Sequence, residues 1–218
     1  MDPLYAAHQG PLGSPGTQFE PCADIALPHM FKEEMVRLAR NLGVDRDTGK
    51  GQVLQFIGVG TDDGTSSICF GLAHVAAFRF GLRVLLVEAD PPGYDRDLLT
   101  EGQSLEAARI NTPAQGPLPQ ADAFQITSLW GGTKPEVVSA TALRLHLMMR
   151  LRSSFDLILI DSNRSAFSPE GPLIASMATG VVLVINGHRG SVDLAAEVGQ
   201  RLQAAGGHLR GVVLSRLP

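Results

Sequence analysis

One segment of the chain has residues in an order suited to binding phosphate and a metal ion. It runs through VGTDDGTSS, from Val59 to Ser67, between an apolar stretch and a helical pattern. A G-x-x-x-x-G-K-[ST] loop in this setting cradles phosphate with backbone N–H groups, and its lysine neutralises phosphate charge. Gly64 matches the glycine before the lysine and Ser66 matches the Mg²⁺-binding hydroxyl, but Thr65 stands at the lysine position. The segment is therefore predicted to be a phosphate-binding loop that lacks its cation.

Two carboxylates, Asp62 and Asp63, make this loop still less suited to a nucleotide. A like charge about 4 Å away costs roughly 4 kcal/mol at an effective dielectric constant of about 20. The alternative is a plain strand–turn–helix junction in which Asp63 or Thr65 caps the helix. In either case ATP and Mg²⁺ are expected to bind weakly or not at all at the cofactor-binding residues of the loop, Gly64, Thr65, Ser66 and Ser67.

Carboxylates also follow two further apolar stretches. Glu88 and Asp90 follow one of them, and Asp161 ends the other. An Asp at the end of a buried strand orders the Mg²⁺ shell in phosphoryl-transfer enzymes. We predict that Glu88 and Asp90 are catalytic residues, vestigial or weak, and that Asp161 and Ser66 would hold Mg²⁺ if metal binding is retained. The alternative interpretation is a solvated strand end.

Short, continuously apolar stretches alternate with helical patterns along the chain. This alternation predicts an α/β fold in which helices flank a parallel β-sheet on both faces, of the P-loop NTPase type. Ligands of such sheets bind at the carboxyl ends of the strands, where the polar segments lie. The predicted strands are 53–59, 83–88, 124–129, 157–161, 181–185 and 209–214. The predicted helices are 28–42, 66–80, 135–152, 172–178 and 192–205.

The chain is predicted to have one domain, residues 28–218, after a flexible arm, residues 1–27. The arm is rich in Gly and Pro, and its composition is typical of a segment without a packed core. Residues 91–122 share that composition and are predicted to form an irregular surface excursion.

Composition narrows the possible partners and location. Of the 218 residues 44% are apolar and 18% charged, which is typical of a soluble globular protein. A net charge of −4 argues against nucleic acid as a partner. No apolar run approaches the roughly 20 residues of a membrane span, and the start lacks a signal-peptide pattern. We expect a cytoplasmic protein without direct membrane insertion, and we expect Cys69 to lie reduced in the core.

The polar segments, taken in order, resemble the bacterial tyrosine kinases (BY-kinases), cytoplasmic kinase modules that act with membrane-bound polysaccharide co-polymerases. The resemblance covers roughly residues 31–217 and extends to the related partitioning and septum-site ATPases. Glu88-Ala89-Asp90 is similar to the family's paired aspartates, with Glu in first place, and Asp161 matches its Walker B aspartate. Ser215 stands where the family has an Asn near the nucleotide base.

The first predicted helix adds a further match. Glu34, Arg37 and Arg40 reproduce the family's E-x-x-R-x-x-R motif before the phosphate-binding loop. The resemblance implies that these residues form an oligomer interface, in a homo- or hetero-oligomer, and couple the domain to its membrane partner. A solvated helix face with local ion pairs is the alternative.

Four departures from the family favour a protein that has lost its chemistry. They are Thr65 for lysine, the aspartates in the loop, Ser162-Asn163-Arg164 in place of Thr-Pro-Pro, and the absence of a Tyr-rich tail after the last predicted strand. We expect a non-catalytic subunit that regulates or scaffolds exopolysaccharide or capsule biosynthesis and export. Its expected partner is a membrane-bound polysaccharide co-polymerase, which would recruit it to the inner face of the plasma membrane.

Two alternatives stay open. In an active tyrosine autokinase or ATPase, Arg164 or Arg189 could replace the lysine, while Glu88, Asp90 and Asp161 could still hold Mg²⁺. A partitioning-type ATPase ranks last, because such enzymes depend on loop lysines that are absent here and lack the motif of the first helix.

Overall fold

The computed structural model describes residues 20–22, 26–45, 51–60, 63–89, 124–128, 151–162 and 170–216. The strands are β1 (Glu20–Cys22), β2 (Gln52–Gly58), β3 (Val84–Glu88), β4 (Phe124–Ser128), β5 (Leu157–Ser162), β6 (Gly180–Asn186) and β7 (Leu209–Ser215). The α-helices in these segments are α1 (His29–Asn41), α2 (Thr65–Phe80), α3 (Glu170–Met177) and α4 (Val192–Ala204). A short 3-10 helix covers Leu151–Ser153.

The strands form one sheet in the order β1-β4-β3-β5-β2-β6-β7. The strands from β2 to β7 run parallel to their neighbours, which confirms the predicted parallel α/β sheet. β1 pairs antiparallel with β4 at one edge, so three residues of the predicted arm are joined to the sheet. The ends of the predicted strands and helices differ from the described ones by at most two residues. The largest difference is at the start of α3, which was predicted at residue 172 and begins at Glu170. Residues 91–122 and most of the predicted helix 135–152 lie outside the described residues.

Helices cover both faces of the sheet. On one face α2 packs on the side chains of Leu54 and Phe56 from β2, and α1 packs on α2. On the other face α3 and α4 cover β5 and β6. Because α2 lies between the sheet and α1, apolar side chains surround it, as expected for a buried helix. Cys69 on α2 is fully buried, as predicted.

Gly71 lets α1 approach α2 closely. A Cβ atom at this position would lie 2.5 Å from the Phe31 ring and 3.0 Å from the Met35 side chain. Real Cβ atoms do not approach neighbours that closely, so the small residue sets the separation of the two helices. Through this contact Gly71 positions the helix that carries Glu34, Arg37 and Arg40.

No helix in the described segments has the length and apolar character needed to cross a membrane.

Candidate functional site

The predicted carboxylates Glu88 and Asp161 lie side by side at the carboxyl edge of the sheet. They are register partners on the adjacent strands β3 and β5. The backbone N–H of Ala89 donates to the Asp161 carbonyl oxygen at 2.8 Å, so pairing continues to the end of both strands. Asp90, the third predicted carboxylate, lies outside the described residues.

Side-chain alternation puts Glu88 and Asp161 on the face that α2 covers. Leu86 and Leu159, two residues before them, both pack in the cluster formed with α1 and α2. Side chains two residues apart in a strand share a face, so the carboxylates continue that row toward the start of α2. Asp161 is 9% exposed. The structure thus brings Glu88 and Asp161 to one face and one edge of the sheet, and their role with Ser66 in holding Mg²⁺ stays a prediction.

The N-terminus of α2 is capped differently from the prediction. Gly64 is the N-cap residue, it adopts a left-handed conformation with φ of 73°, and no side chain caps the helix there. The prediction that Asp63 or Thr65 caps α2 is therefore wrong. A glycine is favoured here because other residues rarely adopt positive φ. Ser66 is half-buried and Ser67 is exposed in the turn that follows.

Thr65, at the lysine position, is sealed inside the protein. Its side chain is 0% exposed. Its hydroxyl has no hydrogen-bond partner among the residues that the structure describes. A lysine at this position of a phosphate-binding loop must reach the β- and γ-phosphates, which a short buried hydroxyl cannot do. Thr65 therefore supplies no cation, and its position is not open to solvent.

The carboxylate of Asp63 is buried in the loop itself and is 1% exposed. Its Oδ2 accepts the backbone N–H of Gly60, and its Oδ1 accepts the backbone N–H of Asn186 at 2.9 Å. A carboxylate needs such donors to be stable in the interior. Asp63 thus binds donors of its own chain, which the electrostatic argument from the sequence did not foresee. Asp62 lies outside the described residues.

Asn186 organises the turn between β6 and α4. Its side-chain oxygen accepts the backbone N–H groups of His188 at 2.9 Å and Arg189 at 3.1 Å. Gly187 N–H then donates to the Ser215 carbonyl oxygen at 2.7 Å, at the end of β7. The segments that follow β2, β6 and β7 are therefore joined into one hydrogen-bonded unit. Sequence reasoning missed the role of Asn186, for which the Asn-Gly pair after a predicted strand was the available signal.

A small cavity of about 180 Å³ lies between the β2–α2 loop and the start of α4. This is smaller than the typical pocket for a drug-sized molecule, which has about 300 Å³ or more. Arg189, a predicted substitute for the missing lysine, lies beside it and is exposed. Arg164, the other predicted substitute, lies outside the described residues. The lining residues are Val59, Gly60, Asp63, Asn186, Arg189, Gly190, Ser191 and Leu194.

A second buried polar network supports the carboxyl edge from the opposite face. Gln55, 0% exposed in the middle of β2, donates from its side-chain amide to Ser162 Oγ at 3.1 Å and to the Gly171 carbonyl oxygen at 3.3 Å. These bonds tie the end of β5 to the first turn of α3. Sequence reasoning missed this network, although a glutamine inside an apolar strand was a signal for it.

The predicted interface residues lie on the outer face of α1. Glu34 and Arg37 form an ion pair of 3.2 Å, with side chains 53% and 69% exposed, and Arg40 is also exposed. The opposite face buries Met35 and Ala39. The local ion pair of the alternative interpretation is thus present, and a role in oligomerisation stays a prediction.

Comparison with known proteins agrees with the fold. No protein-family model matches the sequence, and no curated protein matches it significantly. Among solved structures, the kinase domain of the Escherichia coli tyrosine kinase ETK matches with a TM-score of 0.61 and 19% identity, covering 86% of this chain and 77% of that one. The BceF tyrosine kinase domain matches with a TM-score of 0.60 and 27% identity, covering 86% and 78%. The chimerical protein CapA2B2 matches with a TM-score of 0.62 and 20% identity, covering 85% and 84%.

The fold is that of the P-loop NTPases. The structural neighbours of the chain are bacterial tyrosine kinase domains, which confirms the resemblance predicted from the sequence. Partitioning-type ATPases of the ParA and MinD kind match more distantly, with TM-scores of 0.49 and 0.48.

Proposed function

We propose that this chain is a kinase-like subunit that neither binds ATP nor transfers its γ-phosphate. The buried carboxylate of Asp63 is the observation that carries the proposal. It lies in the phosphate-binding loop and accepts the backbone N–H of Gly60 from the same loop and the backbone N–H of Asn186 from the end of β6. Backbone N–H groups of such loops normally bind the anionic phosphates. A loop that already holds a buried carboxylate is poorly suited to accept an external anion of like charge.

The lysine position gives independent support. Catalysis of phosphoryl transfer depends on positioning and on cations that neutralise the developing charge. Thr65 supplies no cation and is buried. Arg189, a predicted substitute for the lysine, is exposed and lines the small cavity together with Gly60 and Asp63. The lysine position therefore offers a triphosphate no neutralising charge.

Without nucleotide chemistry, the role that we propose for the chain is binding to other proteins. The exposed charged face of α1, with Glu34, Arg37 and Arg40, is available to a partner because its apolar face is already packed on α2. We propose that this face mediates oligomerisation and docking to a membrane-bound polysaccharide co-polymerase. In that setting the chain would regulate or scaffold exopolysaccharide or capsule biosynthesis and export from the cytoplasmic side of the membrane.

One observation favours the alternative of an active kinase or ATPase. Glu88 and Asp161 are register partners on the face covered by α2, as Mg²⁺ ligation requires. Carboxylates and hydroxyls are the ligands that Mg²⁺ prefers. If ATP binds, Asp161 and Ser66 would hold the metal, which would neutralise phosphate charge in place of the absent lysine.

Transfer of the γ-phosphate separates the two proposals. We expect the wild-type chain, incubated with Mg²⁺ and labelled ATP, to show no more autophosphorylation or phosphate release than Asp161→Ala. A repaired loop with Asp62→Gly, Asp63→Gly and Thr65→Lys is expected to gain ATP binding. Turnover by the wild type that Asp161→Ala abolishes would favour the active enzyme.

A further inference from the structure

We propose that Asp63 is an internal lock that ties Gly60 of the phosphate-binding loop to the end of β6 without nucleotide. The lock consists of the Asp63 carboxylate and the two backbone N–H groups that it accepts, those of Gly60 and Asn186. This inference deepens the proposed function and rests on it, because it names what holds the loop once nucleotide binding is lost.

The position of the carboxylate makes it a bridge and not a local cap. Gly60 lies in the same loop, whereas Asn186 lies at the end of β6, 123 positions further along the chain. One side chain therefore connects the carboxyl ends of two neighbouring strands, β2 and β6. Breaking it would free the loop from the sheet edge on one side.

The bridge extends to a third strand through Asn186. The turn after Asn186 is closed by the N–H of Gly190, which donates to the Asn186 carbonyl oxygen at 2.7 Å. Gly187 N–H donates to the Ser215 carbonyl oxygen on β7. A substitution of Asp63 is therefore expected to alter the hydrogen bonding of the turn after β6.

Burial makes the lock strong enough to act without a ligand. Asp63 is 1% exposed, so its hydrogen bonds are shielded from competing water. Removing one partner of a buried bond leaves the other unsatisfied, which is costlier than losing the bond alone. A phosphate that entered the loop would lie near a buried carboxylate of like charge. The lock thus blocks nucleotide binding independently of the missing lysine.

Amide hydrogen exchange of the full chain without nucleotide tests the lock. In Asp63→Asn the side chain keeps one acceptor and turns an NH₂ group toward a donor. We expect the Gly60 and Asn186 amides to exchange on the order of tenfold faster than in the wild type. Asp45→Asn, the same change at an exposed carboxylate after α1, is the control and should leave both rates unchanged. Unchanged exchange in Asp63→Asn would overturn the inference.

If Asp63→Asn does not fold, amide exchange of the wild type alone tests the lock. Both amides must then be protected without nucleotide, and exchange at the rate of an unstructured chain overturns the lock.

Calorimetric titration with Mg²⁺-ATP separates the lock from the proposed function. We expect Thr65→Lys alone to bind no ATP and the double variant Thr65→Lys with Asp63→Gly to bind it. If the two variants bind ATP with equal affinity, or if neither binds it, the lock is overturned. The proposed function would still stand in that case, provided that the wild type binds no ATP. Micromolar binding by the wild type would overturn the proposed function, while the exchange experiment would still decide whether Asp63 orders the loop.

Discussion

The carboxylate of Asp63 accepts the backbone N–H of Asn186 at 2.9 Å and thereby joins the phosphate-binding loop to the end of β6. The sequence separates these residues by 123 positions, and only the parallel pairing of β2 with β6 brings them together. The bond explains how a loop with an extra carboxylate is accommodated, since a buried charge is tolerated when donors surround it. It also makes the loop and the turn after β6 one structural unit.

Asn186→Ala should destabilise the turn after β6 while leaving the lock in place. The substitution removes the side-chain acceptor of the His188 and Arg189 N–H groups, but the Asn186 backbone N–H that Asp63 accepts remains. We expect a loss of about 1 kcal/mol in the free energy of unfolding, measured by urea denaturation. A loss of more than about 3 kcal/mol would show that the side chain does more than close this turn.

Gly71→Ala should weaken the packing of α1 on α2. The added Cβ would lie 2.5 Å from the Phe31 ring, so the ring and α1 must shift. We expect a loss of about 1 to 2 kcal/mol in unfolding free energy, because overpacking outweighs the gain in helix propensity.

Gly199→Ala on α4 is the matched control for Gly71→Ala. Its Cβ would meet the Leu209 and Leu183 side chains at 3.6 and 3.7 Å, which is ordinary contact. This variant should be neutral or up to about 1 kcal/mol more stable, because alanine favours the helix. Equal effects of the two substitutions in thermal denaturation would contradict the role given to Gly71.

Asp156 should contribute to stability in a pH-dependent way. The hydrogen bond from the Arg83 side chain, aided by the Arg83 backbone N–H and its charge, holds the pKa of Asp156 below its ordinary value. The Arg83 guanidinium lies 2.7 Å from this carboxylate. Because the folded-state pKa is lowered, the contribution is present above the unfolded pKa of about 3.9 and is lost as the pH falls through the folded value.

Thermal unfolding of the wild type and of Asp156→Asn between about pH 2 and pH 7 checks this dependence. We expect the wild type to be more stable near neutral pH by about 1 kcal/mol or less, since both side chains are more than one-third exposed. The difference should shrink below about pH 4. A difference that is constant over this range would contradict the account.

Arg40→Glu should separate assembly from folding. Arg40 is exposed on α1, so reversing its charge should change the unfolding free energy by less than about 0.5 kcal/mol. If the outer face of α1 is an oligomer interface, light scattering at high protein concentration should give a mass above that of the monomer for the wild type and a lower mass for the variant. An unchanged mass would contradict an oligomer interface on this face and would favour a solvated helix face with the local ion pair of Glu34 and Arg37.

Most of the fold was predictable because its strands are continuously apolar and its helices end at recognisable residues. β5 and β6 are examples, since short runs of Leu, Ile and Val predict buried strands. The rule that ligands bind at the carboxyl ends of parallel strands directed attention to Glu88 and Asp161, but their register was first seen in the structure.

The details of the loop were not predictable from the sequence. An aspartate before a helix is usually its cap, and the left-handed Gly64 that takes this position leaves Asp63 free to point inward. Its partner Asn186 comes from a distant strand, and no local pattern specifies that contact. The edge strand β1 was hidden for a similar reason, because Glu20–Cys22 is too short and polar to show a strand pattern.

Equilibrium binding of Mg²⁺-ATP and Mg²⁺-ADP to the wild-type chain, measured by calorimetry, tests the central claim most directly. The account predicts no binding by the wild type and a gain of binding when the loop is repaired by Asp62→Gly, Asp63→Gly and Thr65→Lys. Micromolar binding by the wild type that is lost on Asp161→Ala would contradict it and would make an active kinase or ATPase the better description.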